Sequence, residues 1–353
     1  MKILILALSG IGDALMFTPA LKLMREALPD AKIDALVMFK GVKDIYDRNA
    51  CLDNVIYFDF MKEGMIESFR FIRTIRNKYD ASVNVYPSNR SEYNFINFLV
   101  GAGKRAGVKY LRKDIPNLGA LNNIRVTEND SLHNVQTNIR LVEKLLNKIF
   151  TEEPPLDFTL TKDDLSFARE YLNKINLNEN DLVIGFHPGS AILKNHSYRR
   201  WEPEKFVALA QRLINKLNAK ILLFGGPEEL DLKKVINNLI NSPRSIIVET
   251  DNLARSAALI KRCNLFVTND SSLMHVASAM QRKVVAIIGP TNPHYIHPWK
   301  TEHKIITLNL ECSPCFFYSP RPLICARTDI KFKCIRELSV AMVFNAVTGL
   351  LNN

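Results

Sequence analysis

The sequence has no apolar run approaching the roughly 18 residues needed to span a bilayer as a helix. That argues against a helical membrane protein. Zinc-finger spacing and an aromatic-rich RNA-binding signature are both missing, which excludes nucleic acid as the expected partner. The Gly-Lys-Ser/Thr ending of a P-loop is absent. A dinucleotide fingerprint is only half present, because its third glycine is Leu15 and the second strand runs into Met38-Phe39-Lys40 without a ribose-holding acid. No Asp-x-Asp stands at a strand end to carry a divalent metal. The opening apolar stretch is too short for a secretory core and is broken by Gly10-Ile-Gly12-Asp13, so a cytoplasmic protein is expected. With six cysteines and no export signal, a disulfide framework is not expected either.

What is there fits a globular chain of 353 residues, 47% hydrophobic and 24% charged, long enough for two domains. Lys and Arg number 47 against 36 Asp and Glu, a formal charge of +11 that favours a phosphorylated substrate or an anionic membrane face.

Short apolar runs at residues 3–8, 33–39, 55–58 and 81–85 read as strands, with helical periodicity at 14–24 and 66–76. Pro19 predicts a kink or a late start in the first of those helices. The plan repeats with strands at 181–186, 220–224, 246–248, 265–267 and 284–288, and helices at 203–217, 227–240 and 253–262. Strand–helix alternation implies parallel sheets with right-handed crossovers. Residues 151–157, with paired prolines and acids, read as a linker, giving a first domain at 1–155 and a second at 156–336. Beyond Pro290 the pattern dissolves until a helical stretch at the end of 337–353, which suits either domain.

The most organised stretch is a strand ending in Thr268-Asn-Asp270, followed by a helix that Ser271 or Ser272 can cap and that carries His275 one turn in. An acid and two hydroxyls facing helix N-terminal amides suit a sugar and a phosphate, and Asp270 can accept from sugar hydroxyls. The plainer alternative is an ordinary strand–helix turn. His187-Pro-Gly-Ser190 follows another strand, where its backbone amides can face phosphate. Lys194, His196, Arg199 and Arg200 come next, a cationic loop in which Lys194 or Arg199 could neutralise a leaving diphosphate. Phe224-Gly-Gly226 ends the following strand, and Glu228 there is either a ribose or adenine ligand or helix-start chemistry. Asp13, after Gly10 and Gly12, is either a helix N-terminal charge or a general base at the crevice mouth.

Taken in order, Leu8-Ser-Gly-Ile-Gly-Asp13 with Pro19-Ala-Leu, His187-Pro-Gly-Ser190, Arg200-Trp201, Phe224-Gly-Gly226, Asn269-Asp-Ser-Ser-Leu-Met-His275 and Gly289-Pro-Thr291 resemble glycosyltransferase family 9, the lipopolysaccharide heptosyltransferase-like enzymes. The resemblance implies an α/β chain of GT-B architecture, two doubly wound Rossmann-like domains facing a central cleft. It implies inverting, metal-independent transfer with no cofactor, the first domain binding a glycolipid or oligosaccharide acceptor and the second a nucleotide sugar, typically ADP-heptose. Carried over by position, Asp13 matches the base, Arg199 stands near the diphosphate, and Asp270, Ser271, Ser272 and His275 match the donor turn. Relatives often carry Gly at Ser272 and Lys at Arg199, departures that bear on the donor sugar. Ser190, Lys194 and Glu228 complete the donor candidates, while Gly10, Gly12, Arg90 and Arg105, with Lys104 and Arg112 beside them, are the acceptor candidates.

Cys312-Ser-Pro-Cys315 with Cys325 and Cys334 could hold a structural zinc, although the later pair lacks Cys-x-x-Cys spacing; the alternative is reduced thiols in an irregular segment. A sugar-nucleotide epimerase of the same architecture, or a catalytically silent nucleotide-sugar-binding protein, are the rival functions. An enzyme acting on a glycolipid is expected in the cytoplasm, peripheral on the inner membrane.

Overall fold

The computed structural model describes residues 1–191, 193–318 and 321–352. Contacts divide the chain into two compact units, Met1–Thr159 and Leu160–Asn353. In the first unit, β1 (Lys2–Ala7), α1 (Ile11–Ala27), β2 (Lys32–Val37), α2 (Lys40–Tyr46), β3 (Asn54–Tyr57), α3 (Gly64–Ile75) and β4 (Ala81–Asn84) alternate. α4 (Ser91–Val100), β5 (Lys104–Lys109), β6 (Ile124–Thr127) and α5 (Asn134–Leu146) complete it. All strands are parallel, in the order β3-β2-β1-β4-β5-β6.

The second unit opens with α6 (Lys162–Lys174) and continues β7 (Val183–His187), α7 (Pro203–Leu217), β8 (Lys220–Leu223), α8 (Leu230–Ile240), β9 (Ser245–Ile247), α9 (Leu253–Ile260), β10 (Leu265–Asn269), α10 (Ser272–Ala279) and β11 (Lys283–Ile287). It closes with α11 (Pro293–Ile296), β12 (His303–Ile306), α12 (Lys333–Arg336) and α13 (Val340–Leu351). Its parallel sheet runs β12-β11-β10-β7-β8-β9, the same winding as the first. Each sheet therefore reverses its strand order once, between β1 and β4 and between β7 and β10. In open parallel sheets such a reversal leaves a crevice at the strands' carboxyl ends, where ligands bind.

Three expectations change. Pro19 neither starts nor ends α1, which runs unbroken from Ile11 to Ala27. The carbonyl that a proline at that position leaves unbonded belongs to Leu15, and it accepts instead from Thr18 Oγ1 at 2.7 Å. The stretch beyond Pro290 also contains α11, β12 and α12, and its irregular parts bury Phe316, Leu323, Phe332 and Leu338 in the second unit's core. α13 packs on α7 and on β10–β12, placing Val343, Phe344, Val347 and Leu350 in that core. The stretch expected as a linker is itself partly packed: Pro154 and Leu156 are buried, and Asp157 N–H donates to Thr18 Oγ1 at 2.9 Å.

Candidate functional site

At the reversal in the second unit, β7 ends at His187 and β10 at Asn269, and the loops beyond them interlock. Asn269 is the fully buried tie: its Oδ1 accepts from Trp201 N–H at 2.9 Å and its Nδ2 donates to Pro188 O at 2.8 Å. One amide thus fixes the His187 loop, the arginine-bearing segment and the Asp270 turn against one another. Its place in the motif was visible in the sequence, but not its function as a tie.

His187 bridges two of these loops, with Nδ1 2.7 Å from Ser271 Oγ and Nε2 3.0 Å from Glu229 Oε2. Burial raises the pKa of Glu229, yet the hydrogen bond and charge of His187, the Gly226 N–H and the Arg200 guanidinium outweigh it, so the net shift is downward. Glu229 stays an anion. A Cβ at Gly189 would lie 1.7 Å from Glu229 Oε1, so a larger residue there would push this carboxylate away from His187 and the Gly226 N–H. Glu228, the acid favoured from sequence, is exposed and reaches this network only through its charge on Arg200; Glu229 is the one turned inward.

Ser271 occupies the N-cap of α10, but its hydroxyl makes no capping bond. It is spent on His187 and on Thr268 Oγ1 at 3.1 Å, so the capping expected of it does not occur and the first-turn amides keep no side-chain acceptor from it. Ser272, the first helical residue, is half-buried beside it. Asp270 Oδ2 accepts from Arg199 Nη1 at 2.7 Å and from Thr291 Oγ1 at 2.6 Å. Thr291 lies in the Gly289-Pro-Thr291 loop after β11, whose role the sequence did not reveal. Arg199 Nε is buried with no hydrogen-bond partner among the described residues. Ser190 is buried, its hydroxyl 3.2 Å from Arg200 Nε. The side chain of Lys194 lies outside the described residues. Burial pushes the His275 imidazole down to about 4 in spite of Asp270, so it is neutral near pH 7.

At the reversal in the first unit, Asp13 Oδ2 accepts from Gly10 N–H at 3.2 Å, as a carboxylate three residues into a helix can. Gly10 is the N-cap of α1 and Gly12 its second residue. Arg90, at the N-cap of α4 after β4, sits with its guanidinium carbon 5.9 Å from the Tyr93 ring centre. Burial pushes the Tyr93 phenol up to about 12, with Arg90 lowering it and Asp13 raising it. Both charges therefore act on one phenol at this edge. Ser9 Oγ, in the same loop as Gly10, is buried without a partner among the described residues, a hydroxyl the sequence gave no reason to single out.

The structure does not bring Arg105 here. It pairs with Ser82 at the level of Leu4, in the amino half of the sheet, and donates to Ala102 O at 2.8 Å and Leu121 O at 3.0 Å. Arg112 is engaged by Asp130. Among the described residues no three metal-ligating side chains gather closely enough to hold an ion. Cys312 and Cys315 are exposed, Cys325 half-buried and Cys334 buried; burial, then Cys315, Cys325 and Cys312, pushes the Cys334 thiol up to about 11. Among the described residues no helix is long and apolar enough to cross a membrane.

The sequence model of glycosyltransferase family 9 (heptosyltransferase) matches residues 68–321. Lipooligosaccharide heptosyltransferase 2 of Haemophilus ducreyi is 27% identical over 321 residues, covering 87% of this chain and 89% of that protein. The solved family 9 glycosyl transferase of Veillonella parvula is 22% identical, with a TM-score of 0.76 over 99% of this chain and 97% of its own. E. coli ADP-heptose LPS heptosyltransferase II superposes with a TM-score of 0.76 at 20% identity, covering 100% of this chain and 99% of its own. The fold is the GT-B class of these enzymes.

Proposed function

The chain belongs to glycosyltransferase family 9, and from that premise we propose that it moves a heptose from ADP-heptose onto a lipopolysaccharide-core or related glycolipid acceptor. The observation that carries this reading is the coincidence of the family's motifs with the two strand-order reversals, Asp13 and Gly10 at one and His187, Ser271 and Asp270 at the other. Relatives named for heptose transfer and for ADP-heptose support the donor.

In the proposed reaction an acceptor hydroxyl oxygen attacks the anomeric carbon, its proton passes to Asp13, and the carbon–oxygen bond to the diphosphate breaks with inversion. ADP departs as the anion. Its charge is met by the Arg199 guanidinium, by the Ser272 hydroxyl and by the first-turn amides of α10. Asp270, braced by Arg199 and Thr291 through one oxygen, offers its other oxygen to sugar hydroxyls. His187 and Glu229 hold Ser271 in place, and neutral His275 backs the turn without adding charge. A Cβ at Gly10 would meet nothing nearer than Asp13 Oδ2 at 3.9 Å, so the protein's own packing does not demand glycine there, which supports room kept for an acceptor. Arg90 is the cation at that edge suited to an acceptor phosphate. The absence of an Asp-x-Asp supports transfer without a metal. The enzyme is then a cytoplasmic one working at the inner membrane face.

The test is a thermal-shift series with ADP-heptose, UDP-sugars and GDP-sugars, followed by transfer to a heptose-deficient core glycolipid. A ligand bound only by the native state raises the melting temperature. Stabilisation by ADP-heptose and heptose incorporation are expected; stabilisation by a UDP-sugar alone would overturn the donor assignment.

A further inference from the structure

α3 buries only one side. Ile72 and Ile75 enter the first unit's core and Phe71 stacks on Phe58 at 4.2 Å. At 100° per residue, Met65, Arg76, Phe69, Arg73, Ile66 and Arg70 then fall on a single outward arc of about 140°. Every residue on it is exposed, Met65 by 80%, Ile66 by 70% and Phe69 by 49%. No acidic residue shares the arc. Glu67 lies to one side of it, paired with Arg70 at 2.5 Å.

The order along the arc matters as well. The apolar three occupy the first two turns, and Arg70, Arg73 and Arg76 follow. A helix between parallel strands starts at their carboxyl edge, so Met65, Ile66 and Phe69 lie toward the edge that carries Asp13 and Arg90. Met61, 66% exposed in the loop after β3, and Phe39, 39% exposed at the start of α2, extend the apolar surface along that edge. Lys62 and Lys78 are exposed at either end of the helix.

We propose that this face of α3 seats the enzyme on an anionic lipid bilayer, Met65, Ile66 and Phe69 entering the headgroup boundary while Arg70, Arg73 and Arg76 meet lipid phosphates. Apolar residues interleaved with arginines on one arc of a short helix are the chemistry of interfacial binding, and arginine stems can lie along acyl chains while their heads reach phosphate. Charge complementarity selects this occupant: an anionic leaflet attracts an acid-free cationic arc, and a second copy of the same arc would repel it. The surface deepens the glycolipid reading by presenting the edge that holds Asp13 to the membrane where such an acceptor resides. It rests on that reading only for its purpose, since the geometry of α3 stands apart from the donor site.

Co-sedimentation of the full chain with vesicles of phosphatidylcholine, with and without phosphatidylglycerol, tests it. Binding to the anionic vesicles, weakened by high salt, is expected. Met65→Ser/Ile66→Ser/Phe69→Ser should weaken it by about 10-fold or more, and Arg73→Glu/Arg76→Glu should abolish the preference for anionic lipid. All five side chains are exposed, so melting temperatures should match wild type, and transfer to a deacylated, soluble acceptor should be unchanged. Vesicle binding equal in wild type and the triple serine variant, or no binding by wild type, overturns the proposal. So does a wild-type dimer that the serine variant dissolves. Vesicle binding without transfer from any ADP-heptose would instead overturn the heptosyltransferase reading and leave the surface standing.

Discussion

Arg199 Nη1 lies 2.7 Å from Asp270 Oδ2, and the guanidinium carbon stands 5.3 Å from the centre of the Phe316 ring. The acid expected to hold the sugar and the cation expected to hold the diphosphate are therefore one unit. Asp270→Ala would leave Arg199 half-buried and unpaired, a disruption of about 3–5 kcal/mol if the pair were fully dry and less here. Asp270→Asn keeps an acceptor for Thr291 and removes only the charge. We expect the alanine variant to lose both stability and donor affinity, and the asparagine variant chiefly affinity. In a double-mutant cycle with Arg199→Ala, calorimetry with ADP should show a coupling of about 0.5–3 kcal/mol. Strict additivity would mean the two residues act separately.

Thr18 repairs α1 and anchors the end of the first unit with one hydroxyl, donating to Leu15 O at 2.7 Å and accepting from Asp157 N–H at 2.9 Å. Thr18→Val keeps the shape and strands both partners. Urea unfolding should show a loss of about 1–3 kcal/mol. A neutral result would show that water replaces the hydroxyl.

The low pKa of His275 ties stability to pH. Burial pushes it down to about 4, below the unfolded value of 6.5, so the unfolded chain binds the extra proton first. The stabilisation is complete above pH 6.5 and fades as pH falls toward 4, by about 3 kcal/mol in all. His275→Gln should flatten that part of the pH–stability curve. An unchanged slope in denaturant titrations at pH 7 and pH 4.5 would place the titrating group elsewhere.

The sequence was legible where burial is apolar. α7 could be bounded at Pro203 and Leu217 because a helix-starting proline precedes a clean apolar period. β5 escaped notice because Lys104-Arg-Ala-Gly-Val-Lys109 has charged ends and a glycine, and the neighbourhood it packs into is made of amides. There Asn97 Nδ2 donates to Asn122 Oδ1 at 2.8 Å and Asn122 Nδ2 to Asn94 Oδ1 at 2.8 Å, a buried polar ladder that no hydrophobic period announces. The site divides in the same way. Its turns could be placed from glycines and strand ends, but adjacent acids such as Glu228 and Glu229 differ only in which side chain turns inward, and the close approach of Glu229 to Gly189 that goes with it is visible only in three dimensions.

If Arg199, Ser272 and helix amides stabilise the leaving group, as proposed, no divalent cation is needed. Transfer should persist at near full rate in EDTA. A strict requirement for magnesium or manganese, restored on adding the ion back, would remove that assignment.

Asp13 separates chemistry from architecture. Its carboxylate accepts from Gly10 N–H at 3.2 Å, a bond that helps to start α1, and the proposed reaction also asks it to take the proton of an acceptor hydroxyl. Asn keeps the size of Asp and an oxygen for Gly10 but has no basic site. If Asp13 is the base, Asp13→Asn should reduce turnover by about 100-fold or more while ADP affinity and melting temperature stay near wild type. If it only starts the helix, the same variant should retain turnover, and Asp13→Ala should lower stability by about 0.5–2 kcal/mol as lost caps do. The two outcomes differ in which quantity moves. An asparagine variant at full rate would take Asp13 out of the mechanism and leave the proposed transfer without its base.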